Sequence, residues 1–356
     1  MESDKLKQAR EAVGFLETQR SGWEAHWRDI ADYIVPRRGR FGGMALWHTE
    51  NGERRGGRIM DATATRAVRV LAAGMQGGLT SPARPWFRLR LPDRELMEFG
   101  PVRVWLDDVE ARIYNALARS NFYQSIHGMY TELGAFGSAD LYHESGGAGA
   151  MHFTGLTCGE YAWATDAYGH VDTVARRTLM TARQLAARYG EASLSRAAQR
   201  KLRKDPYGLV EVVHLVRPRK ERDSDRKDRL HMPWAALTFE TAGEADDLLH
   251  EGGYEEFPHL CARWDVSGCD VYGRSPGMDA LPDVKMLQEM AKSQLLAVHK
   301  VVKGRGQVVL RNGLLAPTMP HTCWTVGWKV GLVPFWLPDW GTTVWLRKCW
   351  RLWAMR

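Results

Sequence analysis

The stretch "YGRSPGMDALPDVKMLQ", Tyr272 to Gln288, is where a loop turns into a helix. Ser275 is a suitable N-cap, because a short side-chain oxygen can accept a first-turn amide, and Pro276 fits the first helical position, where its missing N–H costs little. Val284, Leu287, Ala291, Leu295 and Val298 then recur at spacings of three and four, the signature of one buried helical face running on to Val302. Pro282 interrupts the pattern: without an amide hydrogen it should kink the helix or mark a second start. The polar face carries Lys285, Gln288, Lys292 and His299. Nothing here assembles a nucleophile, a carboxylate pair or a metal-ligand spacing, so the junction reads as architecture.

Working outward, the first 35 residues place Leu6, Ala9, Val13, Leu16, Trp23, Trp27, Ile30 and Ile34 at helical spacing, closed by Pro36. This predicts a packed amphipathic helix with the Trp pair in its core face. "GRFGGMALWHTENGERRGGR" follows as a glycine-rich basic loop. Asp61 to Leu79 is a predicted helix capped by Asp61, and "TSPARPWFRLRLP" a break followed by a short strand. Residues 102 to 134 predict two helices hinged at Ser120 and Asn121. The period then changes. "GEYAWATDAYGHVDTVARRTLM" alternates as a hairpin around Ala167 to Gly169, "TARQLAARYG" is a helix capped by Thr181 and stopped by Gly190, and Leu209 to Trp264 reads as short strands between polar loops. The fold class expected is α+β, mainly helical, with a small β-rich insertion between helices.

Length, 44% hydrophobic and 26% charged residues describe a globular chain, and a net charge of +7 makes polyanions, nucleic acid above all, natural neighbours. The five cysteines show neither CxxC spacing nor a disulfide framework, which fits a reducing compartment. No apolar signal core and no run of about 18 apolar residues is present, so neither export nor a membrane span is expected. HExxH and any Gly-Lys dipeptide are absent, which removes a P-loop motor. "GGAGA", Gly146 to Ala150, reads as a loop, and His26, His48, His127, His214 and His299 stand alone. Asp107 and Asp108, or Asp246 and Asp247, are adjacent and diverge on a helix surface. "RPRKERDSDRKDR", Arg217 to Arg229, mixes both signs as a hydrated hairpin loop does. No catalytic residue, cofactor site or metal site is expected; the reading in another class is a DNA-binding or DNA-processing enzyme.

The ordered series "WRDIADYIVPRRGRF", "DATATRAVRVLAAGMQGGLTSPARPWFRL", "SNFY", "GEYAWATDAYGHVDTVARRTLMTARQL" and "YGRSPGMDALPDVKMLQ" resembles the head-to-tail connector (portal) proteins of T7-like short-tailed bacteriophages, across residues 5 to 302. That resemblance implies a homo-oligomeric ring, typically of twelve subunits, at one capsid vertex in the virion, assembled in the host cytoplasm. It implies a wing (1–175), a first stem helix (Thr181 to Lys201, within 176–204), a β-rich clip (205–268) and a second stem helix (269–302). The partners implied are double-stranded DNA in the channel, the terminase large subunit, scaffolding and major capsid proteins, and tail adaptor proteins, with no membrane. Channel candidates for DNA are Lys285, Gln288, Lys292, His299, Lys300 and Lys303.

After Val302 the resemblance is expected to stop. Relatives continue through a tunnel loop, a further wing helix and a crown. Here residues 303–356 carry seven of the fifteen tryptophans between Trp324 and Trp353, without a clean period. Their Trp and Arg content also suits a membrane-interface segment. The shift coincides with the end of the resemblance, so the expectation is an out-of-frame translation of a damaged prophage gene, a portal without its crown. Translating the other two frames past codon 302 tests it.

Overall fold

In the computed structural model, which describes residues 3–41, 56–145, 151–223, 225–226, 228–241 and 248–302, the chain opens on helix α1, Asp4–Tyr33. Its single apolar stripe serves two cores. Leu6, Ala9, Val13 and Leu16 pack on a β-sheet, while Trp27, Ile30 and Ile34 enter a second cluster with Phe136, Trp163 and Tyr272. Trp23, half-buried, stacks on Trp27 at 6.1 Å, so the Trp pair is core as expected.

Helix α2, Thr63–Leu79, starts later than the expected Asp61 cap: Ala62 holds the N-cap position, and the Asp61 carboxylate accepts the Thr63 amide at 2.7 Å from just outside. No strand forms in 81–92, contrary to expectation. The amides of Trp86 and Phe87 both donate to Tyr114 Oη at 2.8 Å, so a helix side chain occupies the donors that a strand partner would need. A short helix, α3 (Arg94–Glu98), precedes α4 (Gly100–Arg119) and α5 (Phe122–Phe136), which meet at the predicted Ser120–Asn121 hinge.

Eight strands form two antiparallel sheets among the described residues. β1 (Ser138–Ser145) lies between β2 (Met151–Leu156) and β8 (His259–Arg263). β3 (Tyr161–Thr165), β4 (Val171–Thr181), β5 (Leu209–Pro218), β6 (Trp234–Glu240) and β7 (His250–Tyr254) run in sequence order as a five-stranded meander. The β3–β4 turn falls where the alternation predicts, held by Asp166 Oδ1, which accepts the amides of Tyr168 and His170 at 2.8 Å each.

Two expectations change here. The strands of 209–264 are not a separate insertion: β5 pairs with β4 of the upstream hairpin from Val174–Val216 to Thr181–Leu209, and β8 crosses to the other sheet beside β1. The reason lies in β5 itself, which is apolar on both faces. Val213 and Leu215 face α1, Val210 and Val212 face the opposite side, and both faces need cover. The single helix from Thr181 to Lys201 is instead two, α6 (Ala182–Tyr189) and α7 (Arg196–Lys204). Thr181 and Gln184 form a capping box at the start of α6; Gly190 at φ +86° ends it, a 3-10 turn follows, and Ser195 caps α7. Both helices lie over β5 through Leu185, Leu194 and Ala198.

Helix α8, Pro276–Val302, passes through Pro282 without a second start. Met278, Leu281 and Val284 are buried, but Leu295 and Val298, expected on the same buried face, are about half exposed at 48% and 52%. The chain through Lys292 forms one compact unit; beyond it the described residues are the last turns of α8. "GGAGA", Asp246, Asp247, most of the basic loop (residues 42–55, with His48) and the Trp-rich segment lie outside the described residues.

Candidate functional site

Three glycines let the start of α8 cross the end of α5 at backbone contact. Gly137 ends α5 at φ +80°; a Cβ there would stand 2.4 Å from Gly273 O, one on Gly273 2.3 Å from Gly137 O, and one on Gly277 2.9 Å from Ala135 O. Ser138 Oγ accepts the Gly273 amide at 2.9 Å. Ser275 caps α8 by accepting the Met278 amide at 3.0 Å, and its hydroxyl donates to Ala135 O at 2.6 Å, one of the carbonyls at the end of α5. Tyr272 anchors the joint: its ring stacks on Trp163 at 5.6 Å and meets Trp27 edge-on at 5.0 Å, while its hydroxyl oxygen accepts the Trp163 amide at 3.0 Å.

The channel candidates on α8 do not form one set. Lys285 pairs with Asp29 of α1 at 2.7 Å and stands over the Tyr33 ring. Gln288 is a correction: it is 3% exposed, accepts the amides of Met60 (2.6 Å) and Asp61 (2.9 Å), and donates to Asp61 O at 2.8 Å. A side chain spent on three backbone groups cannot also meet a duplex, so Gln288 fastens the chain ahead of α2. Lys292, His299 and Lys300 are exposed, and Lys303 lies outside the described residues.

A second tie, which the sequence does not announce, is Glu132. This buried carboxylate in α5 accepts from Arg38 Nη1 (2.9 Å), Thr157 Oγ1 (2.8 Å) and the Cys158 amide (3.2 Å). With Arg40 N donating to Cys158 O at 2.8 Å, it fixes the start of the basic loop. Between the sheets, Asp140 and His259 form a fully buried pair at 3.0 Å. His214 beside them is pulled down to about 3, chiefly by burial and then by the neighbouring His259, Arg176 and Arg188, so it stays neutral. Burial likewise pushes the Cys158 thiol well up, which makes it unreactive.

The surface that sequence reasoning passed over is α7, "RAAQRKLRK", five cations in nine residues with no acid. Reading 181–201 as one helix hid it. Among the described residues no group of three or more His, Cys, Asp and Glu side chains comes together as a metal site, and no helix is long and apolar enough to cross a membrane.

The family described as bacteriophage head to tail connecting protein matches residues 6–318, continuing past Val302, where the resemblance was expected to stop. A probable portal protein of Bordetella phage BPP-1 is 41% identical over 286 residues, covering 80% of this chain and 51% of the relative. A portal protein of Salmonella phage epsilon15 is 39% identical over 285 residues, covering 79% and 51%. The chain thus spans about half the length of the curated relatives it matches. With the match running from residue 6 to residue 318, the chain belongs to the bacteriophage head-to-tail connecting protein family.

Proposed function

We propose that the chain is a phage portal subunit: one of a ring of like subunits, taken as twelve, at a capsid vertex, through which double-stranded DNA enters and leaves and on which terminase and tail proteins dock. The observation that carries this reading is the identity of about 40% to two portal relatives across four-fifths of the chain. A ring closes through head-to-tail contacts, so each subunit must offer two different patches. In this reading residues 1–175 serve as wing, 176–204 and 269–302 as stem and 205–268 as clip. Wing and clip then share one sheet, which makes residue 205 a boundary of role and not of folding. Scaffolding and major capsid proteins are the partners on the capsid side, and the working place is the virion head–tail junction.

Negative-stain images of the purified chain, read together with a metal-dependent nuclease assay, test this. Rings with a central hole and no cleavage are expected. Monomers that cut DNA would overturn the reading in favour of a phage DNA-processing enzyme.

A further inference from the structure

Between Pro85 and Pro92 runs "WFRLRL", the stretch whose alternation suggested a strand and which joins neither sheet. Helices α3 and α4 hold one edge of it. Tyr114 Oη accepts the Phe87 amide and donates to the Phe87 carbonyl, both at 2.8 Å. Glu110, one turn earlier on α4, accepts the Leu89 amide at 3.3 Å, and the Met97 sulfur of α3 accepts the Leu91 amide at 3.3 Å. Amides tied at every second residue mark an extended chain, in which successive N–H groups point to opposite edges. Side chains of two helices thus stand where a neighbouring strand would.

The amides of Arg88 and Arg90 then face the other edge, and among the described residues neither has a hydrogen-bond partner. The side chains alternate as well. Phe87 and Leu89 are half-buried, with Phe87 stacked on Tyr114 at 4.4 Å, whereas Arg88 and Arg90 are exposed, as is Arg84 upstream. Among the described residues no carboxylate stands within ion-pair distance of these three arginines. The neighbouring acids are engaged elsewhere: Asp93 on the amides of Glu95 and Leu96, Glu98 on Arg94, and Asp108 on Arg112.

Prolines at both ends and charges along an edge discourage pairing with a second copy, which would set arginine opposite arginine. The same charges favour a strand of opposite sign. We infer that residues 86–91 take up an extended acidic segment of another polypeptide, which adds as a strand to the open edge. Main-chain bonds at Arg88 and Arg90 supply affinity, and carboxylates two residues apart on the incoming segment, opposite the two arginines, supply selectivity. The inference is independent of the portal reading, since it needs neither a ring nor DNA.

The test uses a fluorescein-labelled nine-residue peptide with Val and Glu alternating, titrated with the full chain and followed by anisotropy at low and at physiological salt. Binding that weakens with salt is expected, together with slowed hydrogen exchange at the amides of Arg88 and Arg90. Arg88→Gln with Arg90→Gln keeps both amides, so it should weaken binding about fivefold and leave the unfolding midpoint unchanged. The same peptide N-methylated through its centre keeps its charge but loses its backbone donors, and should bind at least about tenfold more weakly. A peptide alternating Val and Lys should not bind. No binding of the Val–Glu peptide, equal binding of the N-methylated peptide, equal binding by the arginine variant, or slowed exchange only outside 86–91 would each overturn the inference. Equal protection of the two amides by a DNA duplex would assign the arginines to phosphate and overturn it too. Ring formation by a chain that does not bind the peptide would sink this inference and leave the portal reading standing.

Discussion

At Gly273 a single methyl group has nowhere to go, because a Cβ there would stand 2.3 Å from the carbonyl oxygen of Gly137, an atom of the opposing backbone. Gly137 adds a second demand, since its φ of +80° strains any residue that carries a Cβ. Gly273→Ala and Gly137→Ala should each destabilise the fold by about 2–4 kcal/mol, read as a drop in the denaturant midpoint, whereas Gly169→Ala, with open space around it, should cost only its φ strain. A different residue-scale effect belongs to His214. Its folded value lies below that of the unfolded chain, so the folded state binds fewer protons, and stability is fully present above about pH 6.5. It is then lost as pH falls toward about 3. The loss attributable to this group is at most about 1.4 kcal/mol per pH unit within that window. Comparing urea midpoints of the unmodified chain and His214→Phe at pH 7 and pH 5 checks the sign: the variant should lose less on acidification.

Between elements, the joint of α5 and α8 depends on one hydroxyl that works in both directions. Ser275→Ala removes the N-cap of α8 and the donor to Ala135 O together, so it should cost about 1–3 kcal/mol, while Ser195→Ala, a cap on the shorter α7, should cost less at the helix but also take from the buried Glu240 its hydroxyl donor, leaving the amide one. Thermal unfolding of the two variants side by side measures the difference. The cap itself was legible in "RSPG", as were the Ser120–Asn121 hinge, the β3–β4 hairpin and the stripe of α1, because each is set by local chemistry. The apolar, β-branched run of β5 shows that it is a strand but not which strand it will join, and so the sheet shared with β4 stayed hidden. Gln288 misled for the same kind of reason. On a helical wheel it sits with Lys285 and Lys292, and only the return of Met60 and Asp61 from more than two hundred residues upstream buries it. Gly190 was visible as a stop; joining it to the next helix overrode a correct local signal and concealed the basic face of α7.

For the molecule as a whole, α8 presents Met286 and Met290 to solvent at 59% and 62% exposure, one turn apart on a helix whose other side is fixed in the core. In a ring these side chains suit a neighbouring subunit, since flexible thioethers fill irregular gaps. Met286→Gln with Met290→Gln should leave the unfolding midpoint within about 0.5 kcal/mol of the unmodified chain yet lower the assembled fraction in sedimentation velocity; unchanged assembly would place the interface elsewhere. The α5–α8 joint also bears on how the protein is made. Tyr272 fills the space between Trp27 and Trp163, and Ser275 reaches back to Ala135, so none of those partners can be completed by what precedes them on the ribosome. Until the region around Gln288 has cleared the exit tunnel, the residues ahead of it wait with their central aromatic cluster open. Late closure of this kind makes translation speed and chaperone supply part of what decides the yield of this protein.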